Sequence, residues 1–267
     1  MIPPSSPATS VVLLAAGYGT RLYPLTKNTP KALLPVDERV VLDLILDSIR
    51  QIPQRSKIVL ISNRRFVDRF RAWQKKQDLA IEVLDDGTES AQTRLGAIRD
   101  LQLGLDRLPS TDDTLVLGSD NLFTWSLADF VQFGRAKRPA ASVAVRQVVS
   151  REEAKKLGVA TIDASGRMIR LTEKPAEPES LTIALCVYYF PAAVRQRIEE
   201  FIRSGGNVDA PGFFIEWLVK QEPVYGFPTT GEWFDIGSQE SYDHVLRQWS
   251  HDATTSGAKR QKSSGRM

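Results

Sequence analysis

The side chains best suited to chemistry lie in one short stretch near the start of the sequence. An apolar run ends at Gly17 and Gly19, and three cations, Arg21, Lys27 and Lys31, follow in the same segment. Glycine lacks a side chain, so backbone N–H groups at such positions can approach an anion and form a concave turn. The cations add positive charge to this turn. The pattern therefore predicts a phosphate-binding loop.

Two common phosphate motifs do not fit this loop. A P-loop requires a Gly-Lys-Ser/Thr sequence that opens a helix, and the segment has none. A dinucleotide-binding turn requires a third glycine and a helix directly behind it, but Leu22 and Pro24 stand there. A kinase-like NTPase and a nicotinamide dehydrogenase are therefore disfavoured. A glycine turn with incidental cations remains the weaker alternative.

Two aspartates follow apolar segments far apart in the sequence. Asp120 follows the run 114–117, and Asp235 lies in the segment Trp-Phe-Asp-Ile-Gly at 233–237. A carboxylate at the carboxyl end of a strand faces the ligand crevice, where it can hold Mg²⁺ against phosphates. Together they could supply both carboxylates of a magnesium site. Two unrelated turn aspartates are the alternative.

A charged pair, Glu173 and Lys174, ends a predicted strand in the second half. The ammonium could hold a phosphate of an acceptor substrate, and the carboxylate could hold one of its hydroxyl groups. A solvated strand end would show the same pattern. The two histidines, His244 and His251, give little material for a histidine-based mechanism.

The elements that must position these residues alternate in the first half between strands and helices. This alternation predicts a doubly wound α/β fold with a Rossmann-like, mostly parallel sheet, helices on both faces, and ligands at the carboxyl ends of the strands. The predicted strands are 11–16, 57–62, 80–84 and 114–117, the predicted helices are 41–52, 65–77 and 94–105, and a loop spans 17–35.

The second half changes rhythm, and successive strands predict a mixed sheet with a smaller acceptor-binding part. We expect one domain at 11–250, with a nucleotide-binding half at about 11–138 and an acceptor-binding half at about 139–250. Residues 1–10 are expected to be a flexible leader and 251–267 a disordered basic tail. The predicted strands are 141–148, two within 158–173 joined by a turn at 164–166, and 181–190, and the predicted helices are 191–204, 211–220 and one capped by Ser238 that runs to about 250.

Composition bounds the partners and the compartment. The residues after Ser250 carry four cations and one acid, which account for the whole formal net charge of +3, so the body is neutral and no nucleic-acid partner is predicted. No apolar run approaches the roughly 20 residues of a membrane span, and no membrane partner is predicted. A lone cysteine, Cys186, excludes an internal disulfide and agrees with a cytoplasmic location.

Taken in series, these motifs resemble those of the sugar nucleotidyltransferases, most closely the short bacterial glucose-1-phosphate thymidylyltransferases. The resemblance rests on the segments 17–22, 30–36, 119–121, 173–175 and 233–237. It implies a Mg²⁺-dependent enzyme that joins a nucleoside triphosphate to a sugar-1-phosphate and releases pyrophosphate. The family often forms dimers or tetramers, so a homo-oligomer is also an expectation.

The resemblance implies a role for each matching residue. Leu14, Ala15, Ala16 and Gly17 would contact base and ribose, Gly19, Thr20 and Arg21 the triphosphate, and Gly96 the nucleotide. Arg21 would stabilise the departing pyrophosphate, Lys31 would orient the phosphates, and Asp120 and Asp235 would hold Mg²⁺. Gly158, Glu173 and Lys174 would bind the acceptor, with Lys174 on its phosphate.

Two departures from the family leave the substrates open. The family's base-reading segment contains a glutamine, whereas residues 85–90 here read Asp-Asp-Gly-Thr-Glu-Ser, and Cys186 replaces a glycine of the acceptor-side strand. The segment 209–212 is a further variation near the expected acceptor pocket. Cytidylyl or other nucleotidyl transfer to a non-sugar acceptor, and a non-catalytic regulator that binds a nucleotide sugar, remain alternatives.

Overall fold

A computed structural model describes residues 7–248, so the predicted tail and most of the predicted leader lie outside the described residues. Within them a nine-stranded mixed sheet forms the centre of the molecule. The strands are β1 Thr9–Leu14, β2 Pro35–Val36, β3 Arg39–Val40, β4 Arg55–Ser62, β5 Ile81–Asp85, β6 Asp113–Gly118, β7 Asn121–Phe123, β8 Ala141–Gln147, β9 Gly158–Ile162, β10 Met168–Glu173, β11 Thr182–Phe190, β12 Val224–Pro228 and β13 Trp233–Asp235.

Helices cover both faces of the sheet. They are α1 Val41–Arg50, α2 Val67–Gln74, α3 Ala97–Leu105, α4 Leu127–Ala136, α5 Arg151–Ala154, α6 Val194–Arg203, α7 Pro211–Leu218 and α8 at residues 239–248, where the described part ends. None of these helices combines the length and apolar character that a bilayer span requires.

The first half of the sheet is parallel and buried on both sides. β1 pairs in parallel with β4 and with β6, and β4 pairs in parallel with β5. Alternate residues of β1 enter different cores, because Val11 and Leu13 pack with α1 and α4 whereas Val12 packs with α3. A strand covered on both faces is apolar at nearly every position, which explains the run of apolar residues in β1.

Antiparallel pairing joins the second half to the first. β11 lies beside β6 in antiparallel register, and β8 and β9 pair with β11 in turn. Strands from both predicted halves therefore belong to one continuous sheet, in the order β10-β9-β11-β6-β1-β4-β5, with β8 paired to β11 and β12 paired to β8. The predicted fold class, a doubly wound and mostly parallel mixed sheet, is confirmed.

Several local features differ from the predictions. The segment 17–35 is ordered and contains two short 3₁₀ turns, Thr20–Leu22 and Lys31–Leu33. The helix predicted from residue 94 begins at Ala97, because the N–H groups of Ala97 and Ile98 are held by carbonyl groups of residues 208–209. α4 and the short strands β7, β12 and β13 were not predicted, while the Ser238 cap is present, with Ser241 N–H donating to Ser238 Oγ at 3.2 Å.

Candidate active site

The glycine loop after β1 has the compact geometry of an anion-binding turn. Gly19 adopts a left-handed conformation with φ of 61°, which favours glycine. Its carbonyl accepts a hydrogen bond from Leu22 N–H at 2.9 Å and another from the buried Thr26 hydroxyl at 2.7 Å. The loop is therefore fixed in one conformation, and its glycines leave room for a ligand.

The two predicted metal carboxylates are brought together by a pair of short strands. β13 pairs with β7 in antiparallel register, with Asp235 opposite Asn121, and Ile236 N–H donates to the carbonyl of Asp120 at 3.0 Å. Asn121 Nδ2 donates to Asp120 Oδ1 at 2.8 Å, which orients that carboxylate. Trp233 Nε1 donates to Asn121 Oδ1 at 2.8 Å and fixes the amide in turn.

A cation from the glycine loop contacts this acid pair. Lys31 Nζ lies 2.5 Å from Asp120 Oδ2, and the two side chains keep 18% and 28% of their exposure. Burial lowers the pKa of Lys31, but the carboxylates of Asp120 and Asp235 outweigh it and raise that pKa overall. Burial raises the pKa of Asp120, but Lys31 outweighs it and holds the pKa below the usual value. Asp120 is thus a carboxylate with its own counter-ion.

Asp235 lacks such a counter-ion contact. Burial first, and then the charge of Asp120, raise the pKa of Asp235 to about 6, against the smaller opposing effects of Lys31 and Arg21. A divalent cation bound between these two carboxylates would favour the ionised form of Asp235, because an opposite charge lowers the pKa of a carboxyl group. No cluster of three potential metal ligands exists within residues 7–248. One or two carboxylates completed by phosphate oxygens and water is the usual protein set for Mg²⁺.

A cleft of about 240 Å³ opens between the loop and Asp120, and Asp235 lies outside its lining. Arg21 is exposed beside it and forms no ion pair within the described part of the chain. Of the predicted residues, the cleft is lined by Leu14, Ala15, Gly17, Gly19, Thr20, Arg21, Lys31 and Asp120, and Gly237 lines it next to Asp235.

Two predicted nucleotide contacts lie outside this lining. Ala16 is buried, and its carbonyl accepts a hydrogen bond from Asn63 Nδ2 at 2.8 Å, so Ala16 holds the loop against the end of β4. Gly96 stands at the start of α3 with φ of 93°, packed beneath the carbonyl of Val208. Both residues border the loop region without lining the cleft.

The predicted acceptor residues form a second cluster at the ends of β9 and β10. Glu173 lies opposite Gly158 in these antiparallel strands. A Cβ atom at Gly158 would stand 3.0 Å from Glu173 Oε2, and one at Gly212 only 1.7 Å from it. Burial raises the pKa of Glu173, Lys174 lowers it, and Glu216 raises it. The carboxylate is therefore seated in a niche that two glycines create.

Lys174 takes a different environment from its neighbour. Its side chain is 54% exposed, with Nζ 3.7 Å from Glu173 Oε1, and its backbone is left-handed with φ of 49°. Lys174 is therefore an accessible cation at the rim of the Glu173 niche, available to an anionic ligand.

Cys186 connects the two clusters. Its pKa is raised far above the usual value by burial and then by the carboxylates of Asp120, Asp235 and Glu173. The charges of all three carboxylates therefore reach the thiol. A thiol that stays protonated is a poor nucleophile, so Cys186 is not suited to covalent catalysis.

Sequence reasoning missed several residues that build the site. Asn121 was read as part of a motif without a role, and Gly212 only as a local variation. Asn63 carries no sequence signal, since an asparagine after a strand is an ordinary turn residue.

The fold and the site together define a class. A glycine loop with cations follows the first strand of a mostly parallel sheet and faces two neighbouring carboxylates, as in an α/β protein that binds phosphate-bearing substrates with a divalent ion. Residues 10–251 match the family model described as nucleotidyl transferase, and the chain belongs to that family.

Curated relatives agree with this membership. The chain is 30% identical to the mannose-1-phosphate guanylyltransferase catalytic subunit beta of Drosophila pseudoobscura pseudoobscura, over 88% of this chain and 60% of that protein. It is 28% identical to the UTP-glucose-1-phosphate uridylyltransferase of Synechocystis, over 88% of this chain and 62% of that protein. A match to the bifunctional protein GlmU of Methanocaldococcus jannaschii has 27% identity over 85% of this chain and 50% of that protein. The chain thus spans half to somewhat under two thirds of these relatives.

Two solved structures share the fold. A Bacillus anthracis structure assigned as a glucose-1-phosphate thymidylyltransferase superposes with a TM-score of 0.79 at 22% identity, over 91% of this chain and 95% of that chain. A UDP-glucose pyrophosphorylase complexed with UDP-glucose superposes with a TM-score of 0.76 at 17% identity, over 92% of this chain and 99% of that chain. At these identities the likeness concerns the fold.

Proposed function

We propose that this chain is a magnesium-dependent sugar-phosphate nucleotidyltransferase, which joins a nucleoside triphosphate to a sugar-1-phosphate and releases pyrophosphate. Membership of the nucleotidyl transferase family supports the reaction class. Curated relatives are named for guanylyl, uridylyl and thymidylyl transfer to mannose-1-phosphate or glucose-1-phosphate, which supports a sugar phosphate as acceptor. The differing bases in these names leave the nucleoside open.

One observation carries the proposal: Asp120 and Asp235, remote in sequence, meet beside Lys31 of the glycine loop. The contact of 2.5 Å between Lys31 and Asp120, the pairing of β13 with β7, and the effect of Asp120 on the pKa of Asp235 support a single site for the loop and both acids. Aspartates in unrelated turns would have no reason to converge there.

The reaction requires no covalent enzyme intermediate. An oxygen of the acceptor phosphate attacks the α-phosphorus in line, a new P–O bond forms, and the bond to the pyrophosphate leaving group breaks on the opposite side. Both reactants are anions, so the chain must overcome their repulsion and fix the line of attack. Bound Mg²⁺, held by Asp120 and Asp235, would supply charge neutralisation for the phosphates.

The cations divide the electrostatic work by position. Arg21, exposed and unpaired in the described part, would stabilise charge on the departing pyrophosphate. Lys31 would orient the phosphates while it holds Asp120. Lys174, at the rim of the Glu173 niche, would bind the acceptor phosphate, and Glu173 would accept a hydroxyl hydrogen bond from the sugar.

The decisive assay mixes each common nucleoside triphosphate with glucose-1-phosphate or mannose-1-phosphate in Mg²⁺, and scores pyrophosphate and the nucleotide sugar by mass. Asp235→Asn and Asp120→Asn should each lower kcat on the order of a hundredfold or more with the fold retained, because a preorganised charge is lost. Asp68→Asn, at a carboxylate on α2 that is 90% exposed, is the matched control and should leave kcat unchanged.

Two outcomes would reject the proposal. Near-normal rates in both site variants would reject the metal assignment. Nucleotide-sugar binding without pyrophosphate release from any pair would favour a non-catalytic regulator. The cytoplasmic location and the self-association stay predictions, which fractionation and sedimentation would test.

A further inference from the structure

A buried acid that this mechanism does not use lies on α3. Asp100 keeps only 7% of its exposure, and its Oδ1 atom is sealed from solvent with no hydrogen-bond partner among residues 7–248. An unpartnered buried carboxyl costs free energy, since it gives up hydration without a replacement. A ligand that donates hydrogen bonds would provide the missing partner.

Asp100 belongs to a cluster at the edge of the nucleotide cleft. Its N–H donates to the carbonyl of Gly96 at 3.1 Å, so it lies one turn into α3. Tyr18, between the two glycines of the loop, has its hydroxyl 2.9 Å from Thr88 Oγ1, and Thr88 Oγ1 donates to Asp86 Oδ1 at 2.8 Å. The charge of Asp86 acts on Asp100, and both charges act on Tyr18, so the loop after β1, the segment after β5 and the start of α3 lie near one another.

The electrostatics of the cluster are acidic. Burial and then the charge of Asp86 raise the pKa of Asp100 to about 7, and burial is also the main reason that the pKa of Asp86 is raised. The nearest cation, Arg64, is committed to the neighbouring Asp85, with Nε 3.0 Å from Oδ2. Among residues 7–248 no cation forms an ion pair with Asp86 or Asp100, and the oxygens of Asp86 accept hydrogen bonds from Thr88 alone.

We infer that Asp86 and Asp100 select the nucleobase, and that this acidic recess takes a base with an exocyclic amino group rather than uracil or thymine. The inference rests on the proposed function, which places the triphosphate on the adjoining loop. With a pKa of about 7, Asp100 is populated in both protonation states near neutral pH; a ligand that donates hydrogen bonds favours the ionised state, which only accepts them. Guanine presents two adjacent donors, N1–H and the N2 amino group, whereas uracil and thymine present a single donor, N3–H, with a carbonyl oxygen on each side of it.

Rejection of the wrong base follows from the same burial. A site whose buried polar groups need partners discriminates strongly against a ligand that leaves them unpaired. Carbonyl oxygens facing carboxylates add repulsion, which is an element of discrimination beyond the lost hydrogen bond. Asp85 is less suited to this role, because its Oδ2 pairs with the Arg64 cation, whereas the hydrogen bonds to Asp86 come from the neutral Thr88.

Calorimetry tests the inference with the full chain, Mg²⁺ and no acceptor. GTP, ATP, CTP, UTP and dTTP are titrated in turn, and we expect an amino-bearing base to bind at least tenfold more tightly than UTP and dTTP. Asp100→Ala and Asp86→Ala should each reduce that ratio about tenfold. Asp106→Ala, at the exposed end of α3, is the matched control and should preserve it.

The ratio of the affinity for an amino-bearing base to that for UTP or dTTP distinguishes base selection from a structural role of the two acids. A structural effect would weaken all five triphosphates alike and leave the ratio unchanged, which would overturn the inference. Tightest binding of UTP or dTTP to the unmodified chain would also overturn it. Amino-base preference without pyrophosphate release would reject the proposed function alone, whereas release that is fastest with UTP or dTTP would reject base selection alone.

Discussion

Single residues of the acid pair differ in how their charge is balanced. Asp120 is neutralised by Lys31 at 2.5 Å, whereas Asp235 depends on whatever else enters the cleft. Burial and the charge of Asp120 raise the pKa of Asp235 to about 6, because no contacting cation among the described residues offsets them. In the proposed metal site, protons and divalent ions would compete for Asp235.

This competition predicts the pH dependence of metal binding. Below pH 6 each unit of acidity should weaken binding of Mn²⁺, used as a spectroscopic probe for Mg²⁺, about tenfold, since one proton must leave Asp235. Above pH 6 the affinity should level off. Paramagnetic resonance from pH 5 to 8 measures it, and Asp235→Asn should remove the dependence. An affinity independent of pH in the unmodified chain would contradict the assignment.

The same raised pKa has a definite sign for stability without metal. Between about pH 4 and 6 the folded chain holds a proton on Asp235 that the unfolded chain has released, so this contribution falls as pH rises. Metal-free chain should therefore gain stability from added Mg²⁺ more clearly at pH 8 than at pH 5.

Gly212 limits the shape of the acceptor niche. Gly212→Ala would place Cβ 1.7 Å from Glu173 Oε2 and force the carboxylate to move. We expect KM for the sugar phosphate to rise at least tenfold while nucleotide affinity is unchanged, measured by steady-state kinetics and calorimetry. Gly158→Ala, with a contact of 3.0 Å to the same oxygen, should have a milder effect.

A rescue variant distinguishes this displacement from general damage. Glu173→Asp shortens the side chain and removes the clash, so adding it to Gly212→Ala should restore part of the acceptor affinity. An unchanged KM in Gly212→Ala, or equal losses for nucleotide and acceptor, would argue against the niche.

At the scale of elements, the sequence predicts the strands and helices of the parallel half well, because buried strands and amphipathic helices have strong periodic signals. The acid pair was predicted by residue type, but its geometry depends on β7 and β13. Each of these strands has three residues, too few for a period-two pattern to be recognised. Their pairing joins Asn121 to Asp235 across the chain, and no local signal specifies such a partner.

The start of α3 links the nucleotide side to the acceptor side. Ile98 N–H donates to the carbonyl of Val208 at 3.0 Å, and Arg94 Nε lies 2.7 Å from Asp209 Oδ1. The helix terminus is thus satisfied by the loop that precedes α7 and Gly212. A movement of that loop would therefore shift both the start of α3, on the proposed nucleotide side, and Gly212, on the proposed acceptor side.

The close contact between the start of α3 and residues 208–209 predicts that a side chain at position 96 strongly destabilises the fold. Gly96→Ala combines a backbone φ of 93° with a Cβ atom 2.5 Å from the Val208 carbonyl oxygen, so it should lower the free energy of unfolding by at least about 2 kcal/mol. Urea denaturation measures the loss. Arg94→Ala removes only the exposed ion pair and should cost less than about 1 kcal/mol. If Gly96→Ala were as stable as the unmodified chain, the close packing of Gly96 against the Val208 carbonyl group would be excluded.

At the scale of the whole molecule, the two predicted halves meet at a buried acid. Asp113, on β6, has no exposed surface and accepts hydrogen bonds from Tyr189 Oη of β11 at 2.6 Å and from Ala192 N–H at 3.1 Å. Arg138 Nε, from the segment before β8, lies 3.1 Å from the same carboxylate. One carboxylate thus binds the parallel strands to the antiparallel ones.

The junction predicts that the halves unfold together. Asp113→Ala would leave the buried Tyr189 hydroxyl without its acceptor and Arg138 without its counter-ion, so it should cost about 3–5 kcal/mol. Tyr189→Phe, which removes one donor and keeps the carboxylate, should cost about 1 kcal/mol. If the sheet is one cooperative unit, Asp113→Ala must lower hydrogen-exchange protection equally in α1 and α7, which lie in different halves. Loss confined to α7, or two separate urea transitions, would instead divide the chain into independent domains.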